Sequence, residues 1–364
     1  HSLKLLATAA QALRRAGHDT PGDRMAMIRG WQTATLLVKN SPFTRQEIDR
    51  LRAFNQARAF DLAWYPGMSA DEANRRNILS QPYFYEAARA LLGADSESFM
   101  ARYKFDIEPA TDNRPYFFNF FRWATFREAL QLRDRGGAAL IEWGYLVPAA
   151  TLAQAALAGG LLILLPLALA RRSWPPGAGR GAGPYFFLLG LAFLLVEIAF
   201  IQKFTLFLSH PLYAVAVVLT GFLVFAGIGS SLSEGLARRA ARRRRSAVRL
   251  AVAGIVALAL VYVAVLPALF MHAMALGDVA RVALALATIA PLALCMGMPF
   301  PLGLAALADR APGFLPWAWG INGFASVISA ALATLLAIEF GFTAVVLLAL
   351  VLYALAAWLA PDAG

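Results

Sequence analysis

The chain has 364 residues, of which 59% are hydrophobic and only 15% are charged. A soluble globular domain is nearer half apolar and about a quarter charged, so this composition excludes an ordinary soluble protein. A net charge of +11 suggests nucleic acid in a soluble protein, but the excess here is mostly arginine in one loop between apolar segments. That placement is typical of a membrane-topology signal and argues against a nucleic-acid partner.

Charged residues are concentrated in the N-terminal part of the chain. Residues 1–143 carry 20 of the 33 Lys+Arg and 16 of the 22 Asp+Glu, which leaves 13 and 6 for residues 144–364. The chain begins at His1 and shows no signal peptide, so we expect a portion of a longer protein whose N-terminal part is missing. The single cysteine, Cys295, excludes a disulfide within one chain.

Helix and strand patterns alternate over the first hundred residues. The elements they predict, in chain order, are a helix over 3–16, a hairpin of strands 25–29 and 34–39, a helix over 44–58, a strand over 60–65, and helices over 83–92 and 96–103. Thr44 and Glu47, and again Ser69 and Glu72, have the spacing of a capping box. We interpret residues 1–93 as the C-terminal part of an α/β domain.

Residues 94–143 are predicted to be an aromatic-rich linker and pre-membrane segment. Pro109 and Pro115 prevent a continuous helix, and six aromatic residues lie within 116–123. Amphipathic aromatic side chains favour the membrane interface, although an aromatic core for a small domain explains them equally well. Asp112 and Arg114, in the same stretch, could pair or cap a turn.

The rest of the chain, 144–360, is predicted to be a transmembrane helical bundle. Seven apolar segments each reach the ~20 residues that cross ~30 Å of hydrocarbon. They cover 144–170, 185–208, 211–233, 249–270, 279–305, 316–339 and 341–360. The last two are joined so tightly that they must form a hairpin. The fold class predicted is therefore a polytopic α-helical membrane protein of about seven transmembrane helices, preceded by the remnant of an α/β domain.

Positive charge predicts the orientation of these helices. Six arginines lie within 238–245, so the loop 234–249 is expected to be cytoplasmic in the inner (plasma) membrane of a bacterium. Arg171 and Arg172, two segments earlier, agree. The same orientation places residues 1–143 outside, whereas a domain that uses a cytosolic cofactor should be inside, so the side of the soluble part stays open.

Four polar residues inside apolar segments are the candidate functional or structural residues: Glu197, Gln202, Lys203 and Asn322. A charged side chain there is costly and usually faces the interior of a bundle. Lys203 can extend toward the end of its segment, and Asn322, among small residues, can bond to a neighbouring helix. A functional role and a structural role are both open for each of them.

Glu197 needs a partner from another segment. Six positions separate it from Lys203, a rotation of ~600°, so the two do not share a face of the helix. Thr220 follows the turn at Ser209–Pro211 by about as many residues as Glu197 precedes it. We therefore predict that Glu197 meets the third segment near Thr220.

The segment 293–303 is interrupted by Gly297, Pro299, Pro301 and Gly303. Broken helices in membranes often line sites, but a kink with close packing at the two glycines is the interpretation we favour. We find no pattern of catalytic or metal-binding residues, because the four histidines are scattered.

Five stretches together resemble one family, the bacterial membrane proteins that fuse a spermidine synthase-like, methyltransferase-fold domain to transmembrane helices. They lie at 34–44, 111–118, 193–214, 295–303 and 316–327. The resemblance implies that residues 1–93 end a Rossmann-like domain with aminopropyltransferase ancestry. It also implies decarboxylated S-adenosylmethionine and a polyamine as family-level substrates.

The residues that would carry this transferase activity are not among those present. The glycine-rich loop, the ribose-binding acid and the catalytic aspartate of soluble spermidine synthases would all lie before His1. No catalytic, cofactor-binding or metal-binding residue is therefore carried over, and we expect this chain alone to be inactive. Two other functions stay open: a carrier of a small cationic metabolite, lined by the Glu197 segment and the broken helix, and a membrane scaffold without a site.

Overall fold

The computed structural model describes residues 1–123, 143–169, 181–239 and 244–361. The chain divides into two compact units. The first contains His1–Thr111 and Pro115–Gly144, and the second contains Asp112–Arg114 and Tyr145–Gly364. Arg171 and Arg172, and part of the predicted cytoplasmic loop, lie outside the described residues.

The first unit contains four helices and three strands among its described residues. In chain order they are α1 (Ser2–Arg15), β1 (Met25–Arg29), β2 (Ala34–Val38), α2 (Arg45–Arg58), β3 (Asp61–Trp64), α3 (Tyr83–Leu92) and α4 (Ser96–Arg102). Each of these elements is one that the sequence predicts, and the ends agree within about a residue, which is the usual uncertainty of helix boundaries.

Only one of the two predicted capping boxes begins an α-helix. Thr44 Oγ1 accepts a hydrogen bond from the Glu47 backbone N–H at 3.3 Å, and the Glu47 carboxylate accepts one from the Thr44 backbone N–H at 2.7 Å. Ser69 precedes a three-residue 3₁₀ turn and caps nothing. The second prediction is wrong because the Glu72 carboxylate accepts from Arg52 at 2.8 Å and from the Ser69 hydroxyl at 3.2 Å, and not from the Ser69 backbone N–H.

The strands form one antiparallel sheet in the order β2-β1-β3. Met25 and Met27 of β1 face α1 and α3, and Ala26 faces α2 through Leu51, so helices cover both faces of the sheet. The first unit is therefore a mixed unit of helices and an antiparallel sheet. A parallel pair of strands, the signature of a Rossmann fold, does not occur among the described residues, so the Rossmann-like part of the prediction is not confirmed.

Residues that we predicted to form a linker pack into this unit. Ile107 is buried in the same core as α1 and α3, and Asp106 lies 3.5 Å from Lys4 Nζ in a buried ion pair. Phe120 is buried, whereas Phe118 and Trp123 are exposed. The aromatic stretch is thus part core and part surface.

The second unit is a bundle of apolar helices. Its elements are α5 (Trp143–Gly159), a π-helical turn (Gly160–Leu164), α6 (Leu165–Leu169), α7 (Ala182–Phe207), α8 (Pro211–Arg239), α9 (Arg244–Ala273), α10 (Asp278–Met296), α11 (Pro299–Arg310) and α12 (Leu315–Leu359). Within the described residues, six helical segments are long and apolar enough to cross a membrane. The chain is therefore a helical membrane protein, as predicted.

The count is six where the sequence suggests seven because α12 contains the last two predicted segments. Its 45 residues would extend ~68 Å as one straight helix, more than twice the thickness of the hydrocarbon layer. Gly341 has φ 82° and ψ 164°, which breaks the helix. We call residues 315–340 the first arm and residues 342–359 the second arm.

The two arms fold back on each other as the predicted hairpin. Asn322 of the first arm donates to the Phe186 carbonyl, near the beginning of α7. Leu359, at the end of the second arm, also lies beside the beginning of α7, against Gly181. Both contacts at one end of α7 require a reversal at Gly341. α7 is the most buried of the six spans, and the segment α5–α6 is the least.

Candidate functional site

Glu197 lies near the middle of α7, ten residues before its end at Phe207. The side chain is 4% exposed. Its Oε1 atom is buried, and the carboxyl group makes no hydrogen bond or ion pair with any residue the structure describes. A charged carboxylate costs at least ~2.5 kcal/mol to place at mid-membrane. Glu197 therefore needs either a positively charged partner or a proton that neutralises it.

A second buried polar group of the bundle is Tyr353 of the second arm. Tyr353 is 1% exposed, and its buried hydroxyl also lacks a hydrogen-bond partner in the described part of the chain. The Tyr353 side chain interacts electrostatically with Glu197 and with Tyr185. Two buried polar atoms without a hydrogen-bond partner in the described residues therefore lie where α7 packs against α12.

Tyr185 connects this region to the break between α10 and α11. Its hydroxyl donates to the carbonyl of Pro299, the first residue of α11. Gly303 lies directly against the Tyr185 ring, since a Cβ atom at Gly303 would be 2.3 Å from Cε1. Tyr185 therefore joins the beginning of α7 to the beginning of α11.

Close glycine packing supports the interpretation that we favour for segment 293–303. A Cβ atom at Gly297 would lie 2.0 Å from the Ala226 carbonyl of α8, and one at Gly229 would lie 2.0 Å from the Leu294 carbonyl of α10. The two glycines let the backbones of α8 and α10 touch on both sides. The kink therefore serves packing, and only its Pro299 carbonyl reaches toward the polar pair, through Tyr185.

Asn322 acts as a contact between helices. Its Nδ2 donates to the Phe186 carbonyl at 3.1 Å, and about two turns further along the helix Ser329 Oγ donates to the Leu191 carbonyl at 2.8 Å. Gly190 makes room for the first arm, because a Cβ atom there would be 2.5 Å from the Asn322 carbonyl oxygen. These bonds hold α7 against the first arm, as small and polar residues do in membranes.

Gln202 and Lys203 do not join Glu197. Gln202 is exposed and Lys203 is half-buried, and neither side chain bonds to another residue within the described ranges. The predicted neighbour Thr220 is wrong, because its side chain is exposed on the outer surface of α8. α7 directs Glu197 toward α12 instead: seven positions from Gly190 amount to ~700°, so the two residues share a face to within ~20°.

Sequence reasoning missed Tyr353. Tyr353 follows the break at Gly341 by twelve residues, but its position against α7 depends on the contact of Leu359 with Gly181, which joins residues far apart along the chain.

In the first unit, charged side chains organise a loop. The Asp61 carboxylate accepts hydrogen bonds from the backbone N–H groups of Arg75, Arg76 and Asn77, and it lies 3.1 Å from Arg29 Nη2. Burial opposes ionisation of Asp61, but these donors hold the pKa below its usual value. With all its acceptors used, Asp61 is a structural anchor.

The described residues contain no group of three or more His, Cys, Asp or Glu side chains that could hold a metal ion. Comparison of the chain with protein-family models, with curated proteins and with solved structures found no match.

Proposed function

We propose that this membrane protein is a carrier that binds a small cation at Glu197, where α7 packs against α12. The observation that carries the proposal is the buried Glu197 carboxyl group, which has no hydrogen-bond partner and no positive side chain bonded to it within the described residues. A carboxylate in hydrocarbon needs a cation or a proton. A bound cation would satisfy the Glu197 carboxylate.

The resemblance to membrane-fused spermidine synthase-like proteins supports an amine as the cation. In that proposal the chain is the membrane part of a larger polyamine-related protein, and polyamines are small organic cations. An ammonium group donates hydrogen bonds only, which matches two oxygen acceptors and no spare donor other than the tyrosine hydroxyl. Aminopropyl transfer itself has no support from a described residue.

A purely structural role is the opposing interpretation. A carboxyl group that stays permanently protonated could serve α7 as an ordinary polar residue, and the bundle would then be a scaffold. Glu197→Gln separates the two, because glutamine keeps the shape and hydrogen bonding but cannot carry a negative charge.

The experiment measures uptake of labelled putrescine, spermidine and sodium into liposomes that contain the full protein, together with proton movement reported by a pH-sensitive dye. Loss of a charge-assisted contact reduces affinity by about tenfold or more, so we expect Glu197→Gln to abolish most uptake of the transported cation. The matched control is Glu234→Gln, the same substitution at an exposed position of α8.

Thermal unfolding of the detergent-solubilised proteins shows whether both variants are folded. A folded Glu197→Gln protein that transports at the rate of the Glu234→Gln control would overturn the proposal, as would a wild-type protein that moves none of the four cations. Loss of transport in Glu197→Gln alone would support it.

A further inference from the structure

Residues from a distant part of the chain occupy the break in α12. Asn113 Oδ1 accepts hydrogen bonds from the backbone N–H and the hydroxyl of Thr343, both at 2.8 Å. The Asn113 carbonyl accepts from the Phe342 N–H at 3.0 Å. On the other side of the break, Arg114 Nε donates to the Ile338 carbonyl at 3.3 Å.

These bonds replace what the helix loses at Gly341. The first N–H groups and the last carbonyl groups of a helix have no partner inside it. Asn113 satisfies two N–H groups at the beginning of the second arm, and Arg114 satisfies a carbonyl at the end of the first arm. The segment Asp112–Arg114 therefore acts as a cap for both arms at once, although 230 residues separate Asn113 from Thr343.

The backbone conformation of Gly341 and its lack of a side chain both allow this cap to form. Its φ of 82° is in the left-handed region that favours glycine. A Cβ atom at this position would lie 2.4 Å from Asn113 Nδ2 and 3.0 Å from the Asn113 carbonyl oxygen. The cap can approach the break this closely only because the residue has no side chain.

We propose that Asp112–Arg114 is a latch that holds the second arm closed against α7, and that its release opens the seam that buries Glu197 and Tyr353. The second arm is attached to the bundle at two ends. One end is the capped break, and at the other Arg245 donates to the Trp358 carbonyl at 2.7 Å. Between these ends the arm presents Ala349 and Tyr353, four residues apart on one buried face. The importance of this opening for transport rests on the proposed function, but the latch itself does not.

The test is a cysteine-accessibility measurement on the full protein in liposomes. The natural cysteine is removed by Cys295→Ala, and Ala349→Cys places a reporter on the buried face of the second arm, where Ala349 is 0% exposed. Asn113→Leu then removes the side-chain acceptor of the latch. Loss of two neutral hydrogen bonds shifts an opening equilibrium by about thirtyfold. We expect the reporter to react with N-ethylmaleimide faster by about that factor.

Two further variants should change the labelling rate by smaller, different factors. Asn113→Asp keeps an acceptor oxygen and should leave labelling within about threefold of the wild-type rate, since the hydrogen bonds can be retained. Thr343→Val removes only the hydroxyl donor, so the increase should be about fivefold. This variant also keeps the test decisive if Asn113→Leu does not fold.

A second reporter distinguishes opening of the arm from general unfolding. Ala285→Cys lies on α10 rather than on the second arm and is 0% exposed, so it should stay unreactive in every variant. Labelling of the Ala349→Cys reporter at the wild-type rate in both Asn113→Leu and Thr343→Val would overturn the latch. So would parallel labelling of both reporters. A working latch with no cation uptake would instead refute the proposed function alone.

Discussion

Polar side chains in an apolar bundle are least costly when a backbone carbonyl lies within reach, and several here follow this rule. Thr205, Thr288 and Thr334 donate to the carbonyl four residues earlier in their own helix, and Asn322 and Ser329 donate to α7. Glu197 and Tyr353 differ because each keeps a buried oxygen without a partner in the described part of the chain. That contrast is the physical basis for treating them as a site.

Glu47 of the first unit provides a prediction at the residue scale. Hydrogen bonds from the Lys39 side chain, and then from Thr44, lower the pKa of Glu47 from 4.5 to about 2. Because the folded pKa is depressed, the ionised group stabilises the capping box fully above pH 4.5, and this contribution is lost as the pH falls toward 2.

We therefore expect the backbone amides in the first turn of α2 to lose hydrogen-exchange protection between pH 4.5 and 2, measured by mass spectrometry after correction for the intrinsic rate. In Glu47→Gln, which does not titrate, protection should be lower at neutral pH and flat over this window. Protection in the wild-type protein that does not change with pH would contradict the role assigned to Glu47.

At the scale of elements, helix contacts depend on which glycines meet a backbone. Gly229 of α8 would place a Cβ atom 2.0 Å from the Leu294 carbonyl oxygen, whereas Gly227, two residues earlier in the same helix, has nothing within 4 Å. The two positions have the same helix propensity and differ only in the partner helix. They form a matched pair.

We expect Gly227→Ala to raise the thermal unfolding temperature slightly, because alanine is favoured over glycine in a helix by up to about 1 kcal/mol. Gly229→Ala should lower that temperature, since α10 must move away, and overpacking costs about 1–3 kcal/mol. Unfolding in detergent, followed by circular dichroism, measures both. Two variants of equal stability would show that α8 and α10 are not in backbone contact.

Prediction from local patterns succeeded where an element depends on residues close together along the chain, and it failed where distant elements interact. The hairpin of β1 and β2 and the capping box of α2 depend on residues a few positions apart, and both were predicted. The antiparallel arrangement of β1 with β3 depends on strands separated by more than thirty residues. The pattern of apolar residues is the same for either direction, so strand direction could not be read from it.

For the whole molecule, the arginine-rich loop predicts the orientation of the bundle. Arginine resists translocation, so the loop before α9 should be cytoplasmic, and the other end of α9 should then be outside. Ser246, at the beginning of α9, and Leu276, after its end, are both exposed. They can report the two sides independently.

In a Cys295→Ala background, Leu276→Cys should react with a membrane-impermeant maleimide added to intact cells, because it lies on the outer side. Ser246→Cys should react only after the cells are permeabilised, and this is checked by a shift in gel mobility. The opposite labelling pattern would show that the bundle has the inverse orientation, with the capped break at Gly341 at the cytoplasmic end.

The sequence by itself determined that this is a helical membrane protein preceded by a small unit of helices and strands, because apolar length and local capping depend only on near neighbours along the chain. It also pointed to Glu197, since a carboxyl group in an apolar run is costly wherever it packs. Only the tertiary structure decided that Tyr353 of the second arm is buried without a hydrogen-bond partner in the described residues and that Asn113 caps the break at Gly341. Those contacts join residues far apart along the chain, and their choice depends on which helix faces pack together, which no local pattern encodes.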